Sequence, residues 1–395
     1  VSKGTISELF DDNGKRVGWQ YRWRNPQGVQ RKRNFERKSL AEAFQLTTEV
    51  SIRDHTYVDP KKGKQTFRDF ADAWHERLTA SHNYRVASKG TLKLHVYPVL
   101  GAKQMLAIKD DDITVLIQSM LESGLKASTI RTHMTLVRGI FKAAALKRVI
   151  SGNPCIGVRL PKGAPAKMWL LEAVQVAALI ANIDARYRAL IALGAATGGR
   201  QGELFGLRMA DVNWANTESP TVHFQQQLQM ERGRGIVSRP LKNYEDRIIP
   251  VPLEMIDMLA RHVREFPPAP GGYLFTRPQN GLMNARVFQA WPWERARRAA
   301  AEEFAVAANA LAGTEAIQNT VRSQQLASVT MHQLRDYYAS TLIYKGRPIS
   351  EVSELLGHAN QSTTLKYYSH LVADRDGKTR AIVGENLRQI LPSVP

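Results

Sequence analysis

Ala196-Thr197-Gly198-Gly199-Arg200-Gln201-Gly202-Glu203-Leu204 is the stretch on which the reading of the chain turns. Its glycine pair lets the backbone turn sharply and present the Arg200 guanidinium, whose forked donors suit a phosphate group. Alone, an arginine after glycine is most often a charge at a helix end. Outward from it, three further pieces hold residues of the same chemistry. Lys242 stands between Pro240-Leu241 and Asn243-Tyr244-Glu245-Asp246, on what reads as a turn between two strands. His332-Gln333-Leu334-Arg335 reads as helix, which sets His332 and Arg335 on one face, since positions three apart are neighbours. Leu356-Gly357-His358 is followed, nine residues on, by Tyr367.

Phosphodiester exchange without a metal needs a nucleophile, positive charge fixed around two non-bridging oxygens, and a proton for the leaving alkoxide. Arg200 and Arg335 stay charged at any working pH and offer forked donors that lysine cannot match. Lys242 is a mobile ammonium whose pKa can fall beside other cations, which suits a general acid. Tyr367 is the candidate nucleophile. This set calls for no cofactor and no metal, and the single cysteine, Cys155, excludes an internal disulfide or a cysteine-based zinc site. It reads as a buried structural thiol.

In this order and spacing the pieces resemble the tyrosine recombinase or phage integrase family. That family's motif runs Thr-Gly-x-Arg-x-Gly-Glu-Leu, a hairpin lysine, His-x-Leu-Arg, Leu-Gly-His and a tyrosine nine residues after that histidine. All five elements occur here. The resemblance implies a site-specific recombinase that cleaves and rejoins DNA through a 3′-phosphotyrosine, frees a 5′-hydroxyl and needs no ATP, so integrating or excising a phage or mobile element. It implies Tyr367 as nucleophile, Lys242 as acid for the leaving hydroxyl, His332 as acceptor of the tyrosine proton and His358 as donor to a phosphate oxygen. Glu203 reads as a structural partner that orients an arginine. Gly199 stands where relatives often carry a larger apolar residue, a harmless departure on this reading.

The register of the nucleophile stays open by one residue. Counting from His358 and from Thr363-Thr364 selects Tyr367; counting back from His370, which in many relatives lies two residues past the nucleophile, selects Tyr368. One step along a helix swings a side chain by about 100°, so only one ring reaches the phosphate. Two rival functions share parts of this reading. A type IB topoisomerase uses a similar residue set for DNA relaxation, but has no need of separate recognition domains. A non-catalytic DNA-binding regulator would not need all five elements.

Composition fits a polyanionic partner. The 395 residues carry 55 Lys and Arg against 36 Asp and Glu, a formal net charge of +19, and neutralising DNA phosphates releases counterions. Double-stranded DNA attachment sites are the expected partner. An acidic membrane surface ranks low, because no run of 18 apolar residues and no apolar core of a secretory signal is visible. The expected location is therefore cytoplasmic, at the nucleoid of a bacterial host. Val1 fits a GTG start codon and a bacterial source, although a trimmed chain would look the same.

The expected fold class is multidomain α+β: a small amino-terminal three-stranded sheet plus helix, an all-helical domain, and a mainly helical catalytic domain with a small antiparallel sheet. Residues 1–59 read as strands Thr5 to Phe10, Val17 to Trp23 and Val29 to Phe35, then a helix from Leu40 to Ser51. Trp19, Tyr21 and Trp23 alternate with Gln20 and Arg22, giving one aromatic face and one polar or basic face. The rings are core under the helix or a surface for DNA. Arg22, Arg24, Arg31 and Arg33 suit a groove in either case.

Asp59 to Lys64 reads as a linker. Residues 60–165 are helical, with Phe67, Phe70, Trp74 and Leu78 on one face and a second helix capped at Ser128 and carrying Ile130, Met134, Val137, Ile140, Phe141 and Ala144. Arg131, Arg138 and Lys142 line that second helix as a basic stripe, either solvated or facing DNA. Residues 166–395 hold the motif pieces, a strand-rich interval from Thr221 to Pro252, an Ala-rich helix from Ala299 to Leu311 and then a polar tract read as loop. The resemblance implies an arm-type DNA-binding domain (1–59), a SAM-like core-binding domain (60–165), a recombinase catalytic domain (166–395), a homotetramer on synapsed DNA, and an excisionase or DNA-bending protein as accessory partner. The tail after Asp374, with Ile382, Leu387, Ile390 and Leu391, packs on a neighbouring subunit or in cis.

Overall fold

The computed structural model describes residues 4–26, 28–54, 57–58, 62–163, 169–241 and 246–358. The chain forms two compact units, Val1–Ala166 and Lys167–Pro395.

The first unit opens with an antiparallel sheet of β1 (Thr5–Phe10), β2 (Arg16–Arg24) and β3 (Gln30–Phe35), in that order, followed by α1 (Lys38–Arg53). Alternation along β2 sends Tyr21 and Trp23 to one face, where they stack at 5.1 Å and meet Phe44 of α1 edge-on. Trp23 Nε1 also donates to the Tyr57 hydroxyl at 3.0 Å. These rings are therefore core beneath the helix.

Register corrects the expected basic face. Tyr21 lies opposite Arg33 and Trp23 opposite Arg31, and directly paired residues share a face. Arg31 and Arg33 thus stand on the aromatic side, with the Arg33 guanidinium 4.6 Å above the Phe44 ring. Arg22 and Arg24, with Lys32, occupy the other face. There Gln20 Nε2 donates to Asn34 Oδ1 at 2.8 Å and Arg22 Nε donates to Gln20 Oε1 at 2.5 Å, which orders a polar row across two strands.

The rest of this unit is helical: α2 (Phe67–Glu76), α3 (His82–Thr91), a π turn at Leu92–Val96 leading into α4 (Tyr97–Leu100), α5 (Asp110–Glu122) and α6 (Ala127–Leu146). Phe67, Phe70, Ile113, Leu116, Ile130, Met134, Val137 and Phe141 form their common core. Leu78 lies beyond the end of α2. Ser128 is not the cap of α6, because the helix already begins at Ala127 and Lys126 is the N-cap. The basic stripe is only partly solvated: Arg131 Nη2 donates to the Pro161 carbonyl at 2.9 Å and Arg138 Nη2 to the Val158 carbonyl at 3.5 Å, so the chain after α6 folds back along the stripe. Lys142 stays exposed. The end of the expected linker is packed too, with Gly63 buried in a 3-10 turn at Lys62–Lys64. Cys155 is buried, and burial pushes its thiol up to about 12 against the lowering charge of Arg138. It is an unreactive thiol at neutral pH.

The second unit contains α7 (Ala173–Asn182), α8 (Ala185–Thr197), α9 (Gln201–Gly206), β4 (Thr221–Phe224), β5 (Gln226–Glu231), β6 (Gly235–Pro240), β7 (Arg247–Pro250), α10 (Leu253–Glu265), α11 (Ala285–Phe288), α12 (Glu294–Ala310), α13 (Gly313–Leu326), α14 (Met331–Tyr344) and α15 (Ile349–Leu356). Leu190 and Leu193 of α8, Leu334 of α14, Phe224 of β4 and Leu259 of α10 belong to one core. The helices α8 and α14 approach closely at Gly194, where an added Cβ would lie 3.2 Å from Leu334 Cδ1.

Two expectations change here. β6 pairs with β5 whereas β7 pairs with β4, so the two strands that flank Lys242 in sequence do not pair with each other as a hairpin would. The polar tract after the Ala-rich helix is α13. Ala300, Ala301 and Ala308 of α12 are buried, and such small side chains let α13 pack close with Leu326 as its one buried large apolar residue. Gln175 of α7 also holds it, donating through Nε2 to Gln325 Oε1 at 3.0 Å. Among the described residues no helix is long and apolar enough to cross a membrane.

Candidate active site

The helix α8 ends in Gly198, which adopts the left-handed conformation at φ +62°. An added Cβ there would sit 2.7 Å from Tyr338 Cδ1 and 3.0 Å from Leu356 Cδ2. Gly198→Ala is accordingly expected to lower stability by about 2 kcal/mol in urea unfolding, since it combines positive φ with overpacking. Gly199 is held by close approach: its Cβ would meet Phe224 Cζ at 2.8 Å and Leu204 Cδ2 at 2.9 Å. Phe224 fills the space that a larger residue at position 199 would need.

Arg200 follows as the N-cap of α9. Its backbone N–H donates to Glu203 Oε2 and its Nη1 to Glu203 Oε1, both at 2.8 Å. Glu203 is 2% exposed and accepts a further bond from Arg247 Nη2 at 2.5 Å. Burial alone would raise its carboxyl, but the hydrogen bond and charge of Arg247, with the charge and N–H of Arg200, outweigh it and hold the group below the ordinary value. Glu203 thus orients an arginine, as its position suggested, and it holds a second one as well.

Opposite, α15 closes at Gly357, left-handed at φ +63°, with the Gly357 N–H donating to the Glu354 carbonyl and the His358 N–H to the Ser353 carbonyl. This closure leaves the last carbonyls of the helix, at its negative end, without intrahelical donors. Three arginines take them in succession. Arg247 Nε donates to the Leu355 carbonyl at 2.9 Å, Arg335 Nη2 to that of Leu356 at 2.5 Å, and Arg200 Nη2 to that of Gly357 at 3.0 Å. Arg335 Nη1 donates in addition to the Gly198 carbonyl at 2.8 Å, joining the two glycine turns.

The structure therefore brings Arg200, Arg335 and His358 together, with His332 one turn before Arg335 on α14. They differ in access: the Arg200 side chain is 45% exposed and His332 is exposed, whereas Arg335 is 2% exposed and lies beneath them. Burial, then the charges of Arg335, Arg200, His332 and Arg247, push the His358 imidazole down to about 4. It is neutral at pH 7. An unfolded histidine takes its proton near 6.5, so this group makes stability fall as pH drops from about 6.5 toward 4 and leaves it unaffected above that window. In NMR titrations the His358 ring signals are expected to stay unchanged between pH 5.5 and 8; a midpoint inside that range would contradict this arrangement.

Lys242, Tyr367 and Tyr368 lie outside the described residues, as does the tail after Asp374. Of the described residues that flank Lys242 in sequence, Leu241 is buried and Asp246 Oδ2 is 2.8 Å from His223 Nε2. The candidate DNA-contacting residues Arg22, Arg24, Arg31, Arg33, Arg131, Arg138 and Lys142 belong to the first unit. Arg247 escaped the sequence reading. Its signal was parity, since an arginine in step with the inward Ile249 opens an otherwise apolar strand.

The model of the phage integrase family matches residues 170–375, more than half of the chain. The chain belongs to the phage integrase family. It is a site-specific tyrosine recombinase, an enzyme that cleaves and rejoins DNA, and DNA is its partner. The integrase is 25% identical over 300 residues to the tyrosine recombinase XerC-like protein of Caldanaerobacter subterraneus subsp. tengcongensis, covering 70% of each chain. Over 266 residues it is 28% identical to the tyrosine recombinase XerD of Pseudomonas aeruginosa, covering 65% of this chain and 75% of that one. Its fold is similar to that of the Tn1549 transposon integrase solved with a circular intermediate DNA, with TM-score 0.66 and 19% identity over 81% of this chain and 99% of the other.

Proposed function

We propose that Tyr367 attacks the scissile phosphorus of a double-stranded attachment site and that Arg200, Lys242, His332, Arg335 and His358 serve that attack. The bond from phosphorus to the tyrosine oxygen forms as the bond to the 5′ oxygen breaks, leaving a 3′-phosphotyrosine and a 5′-hydroxyl. His332 takes the tyrosine proton and Lys242 gives one to the leaving oxygen. Attack by the 5′-hydroxyl of a partner strand reverses the step and rejoins DNA, so no external energy source is required. The observation that carries this reading is the capture of Arg200, Arg335 and Arg247 by three successive carbonyls at the end of α15, which gathers fixed positive charge beside the neutral His358.

The parts of the clamp divide their work. Arg200 is accessible and contacts a phosphate oxygen directly, with His358 donating to another. Two of the five N–H donors of Arg335 serve the carbonyls of Gly198 and Leu356. Its charge, in a site of low dielectric, serves the phosphate.

On the same reading the chain divides into an arm-type DNA-binding domain (1–59), a core-binding domain (60–165) and the catalytic domain (166–395). Arg22 and Arg24 contact arm-type DNA from the sheet face turned away from α1, and Arg131, Arg138 and Lys142 face the core site. Four copies assemble on paired sites, and an excisionase or DNA-bending protein sets direction. The enzyme works at the nucleoid of its bacterial host. A nicked suicide substrate tests the chemistry: covalent protein–DNA adduct is expected in EDTA at an undiminished rate. Efficient relaxation of supercoiled plasmid lacking attachment sites would favour the topoisomerase-like alternative instead.

A further inference from the structure

We infer that Arg247 is a positioning residue for strand cleavage, binding the carboxylate that orients Arg200 and the carbonyl turn that carries His358 into one rigid unit. The inference rests on the reading of Arg200 and His358 as phosphate-binding groups. Alternation along β7 turns Arg247 inward with Ile249, and its side chain is 7% exposed. The guanidinium lies 4.9 Å from the centre of the Phe224 ring and packs against Gly357, where an added Cβ would come within 3.2 Å of Nη1. Enclosed in this way, it is out of reach of DNA.

Two of its nitrogens are committed in divergent directions. Nη2 donates to Glu203 Oε2 at 2.5 Å, and Nε donates to the Leu355 carbonyl at 2.9 Å. Glu203 in turn grips Arg200 by its backbone and its guanidinium, and Arg200 reaches back to the Gly357 carbonyl. The result is a closed circuit, Arg247 to Glu203 to Arg200 to the end of α15 and back to Arg247. Nη1 is buried without a hydrogen-bond partner among the described residues. A buried charge left partly unsatisfied is a poor device for stability, and replacing a buried ion pair by apolar or neutral groups of similar volume is often neutral. Its geometry is suited to placement, because a shift near 1 Å in a phosphate-binding group can cost roughly 100-fold in rate.

The test compares wild type, Arg247→Lys, Arg247→Met, Glu203→Gln and the double variant Arg247→Met with Glu203→Gln. Single-turnover adduct formation on a nicked suicide substrate is measured beside DNA affinity and thermal unfolding. Arg247→Met is expected to slow cleavage roughly 100-fold with DNA affinity held within about threefold. Arg247→Lys, which reaches only one of the two acceptors, restores about tenfold of that loss. The double variant, with both buried charges removed, unfolds close to the wild-type temperature yet cleaves no slower than Arg247→Met, because the two residues act through one circuit. Should Arg247→Met not fold, Arg247→Lys and the double variant decide.

Folded variants that cleave at the wild-type rate, or slow only in proportion to weakened DNA binding, overturn the inference. A Tyr367→Phe control separates it from the reading beneath it. If Tyr367→Phe still forms adduct, that reading has failed whatever the Arg247 variants do; if Tyr367→Phe is inert and the Arg247 variants are normal, only the inference has failed.

Discussion

Arg335→Ala is expected to lower the single-turnover rate of strand cleavage by about 1000-fold, comparable to loss of an entire anion-stabilising donor set. The same change should remove about 3 to 5 kcal/mol of folding stability in urea titration, since it vacates a buried site and strips two buried carbonyls of their donor. The guanidinium is 2% exposed and spans the Gly198 and Leu356 carbonyls, so it holds the turn that presents Arg200 and the turn that presents His358. Arg335→Lys keeps the charge, but a single ammonium does not reproduce the fork. It should fold better than Arg335→Ala and still cleave slowly. Normal cleavage by Arg335→Ala would show that the charge beneath the site contributes nothing to the reaction.

Glu203→Ala is the second large effect. Its carboxylate accepts from the Arg200 backbone, the Arg200 side chain and Arg247, and the Arg247 side chain is 7% exposed. Removing it strands a buried cation, a change that typically costs about 3 to 5 kcal/mol. Glu203→Gln keeps the shape and should lose less. The pH dependence separates charge from shape. Because the folded-state carboxyl is held below its ordinary value, it contributes stability above that value and loses it as pH falls through the folded value. Wild type should therefore lose stability toward pH 3 more steeply than Glu203→Gln. Parallel acid limbs would mean that the carboxylate is not paired as described.

Much of this site was legible because the chemistry needs particular residues at particular turns. The glycine pair marks the turn before Arg200, while Arg335 and His358 stand out only because the separated pieces follow the order and spacing of the family they resemble. What stayed hidden depends on pairing across elements. Arg31 and Arg33 look like part of a basic face when β3 is read alone, and only the register Tyr21 to Arg33 sets them beside the aromatic rings. Strands flank Lys242 as its sequence suggests, but that they pair with different partners is not written in either strand alone. The polar sequence of α13 conceals a helix whose packing depends on the alanines of α12. Arg247 shows its role only once Glu203 and the end of α15 meet it in space.

Mapping the phosphotyrosyl peptide tests covalent catalysis by Tyr367 most directly. Trypsin cleavage after Lys366 releases a peptide beginning Tyr367-Tyr368-Ser369-His370, and fragmentation of the nuclease-trimmed adduct distinguishes the two rings. The nucleotide is expected on Tyr367, with Tyr367→Phe forming no adduct and Tyr368→Phe retaining it. A nucleotide on Tyr368, or an adduct that survives Tyr367→Phe, would contradict the account.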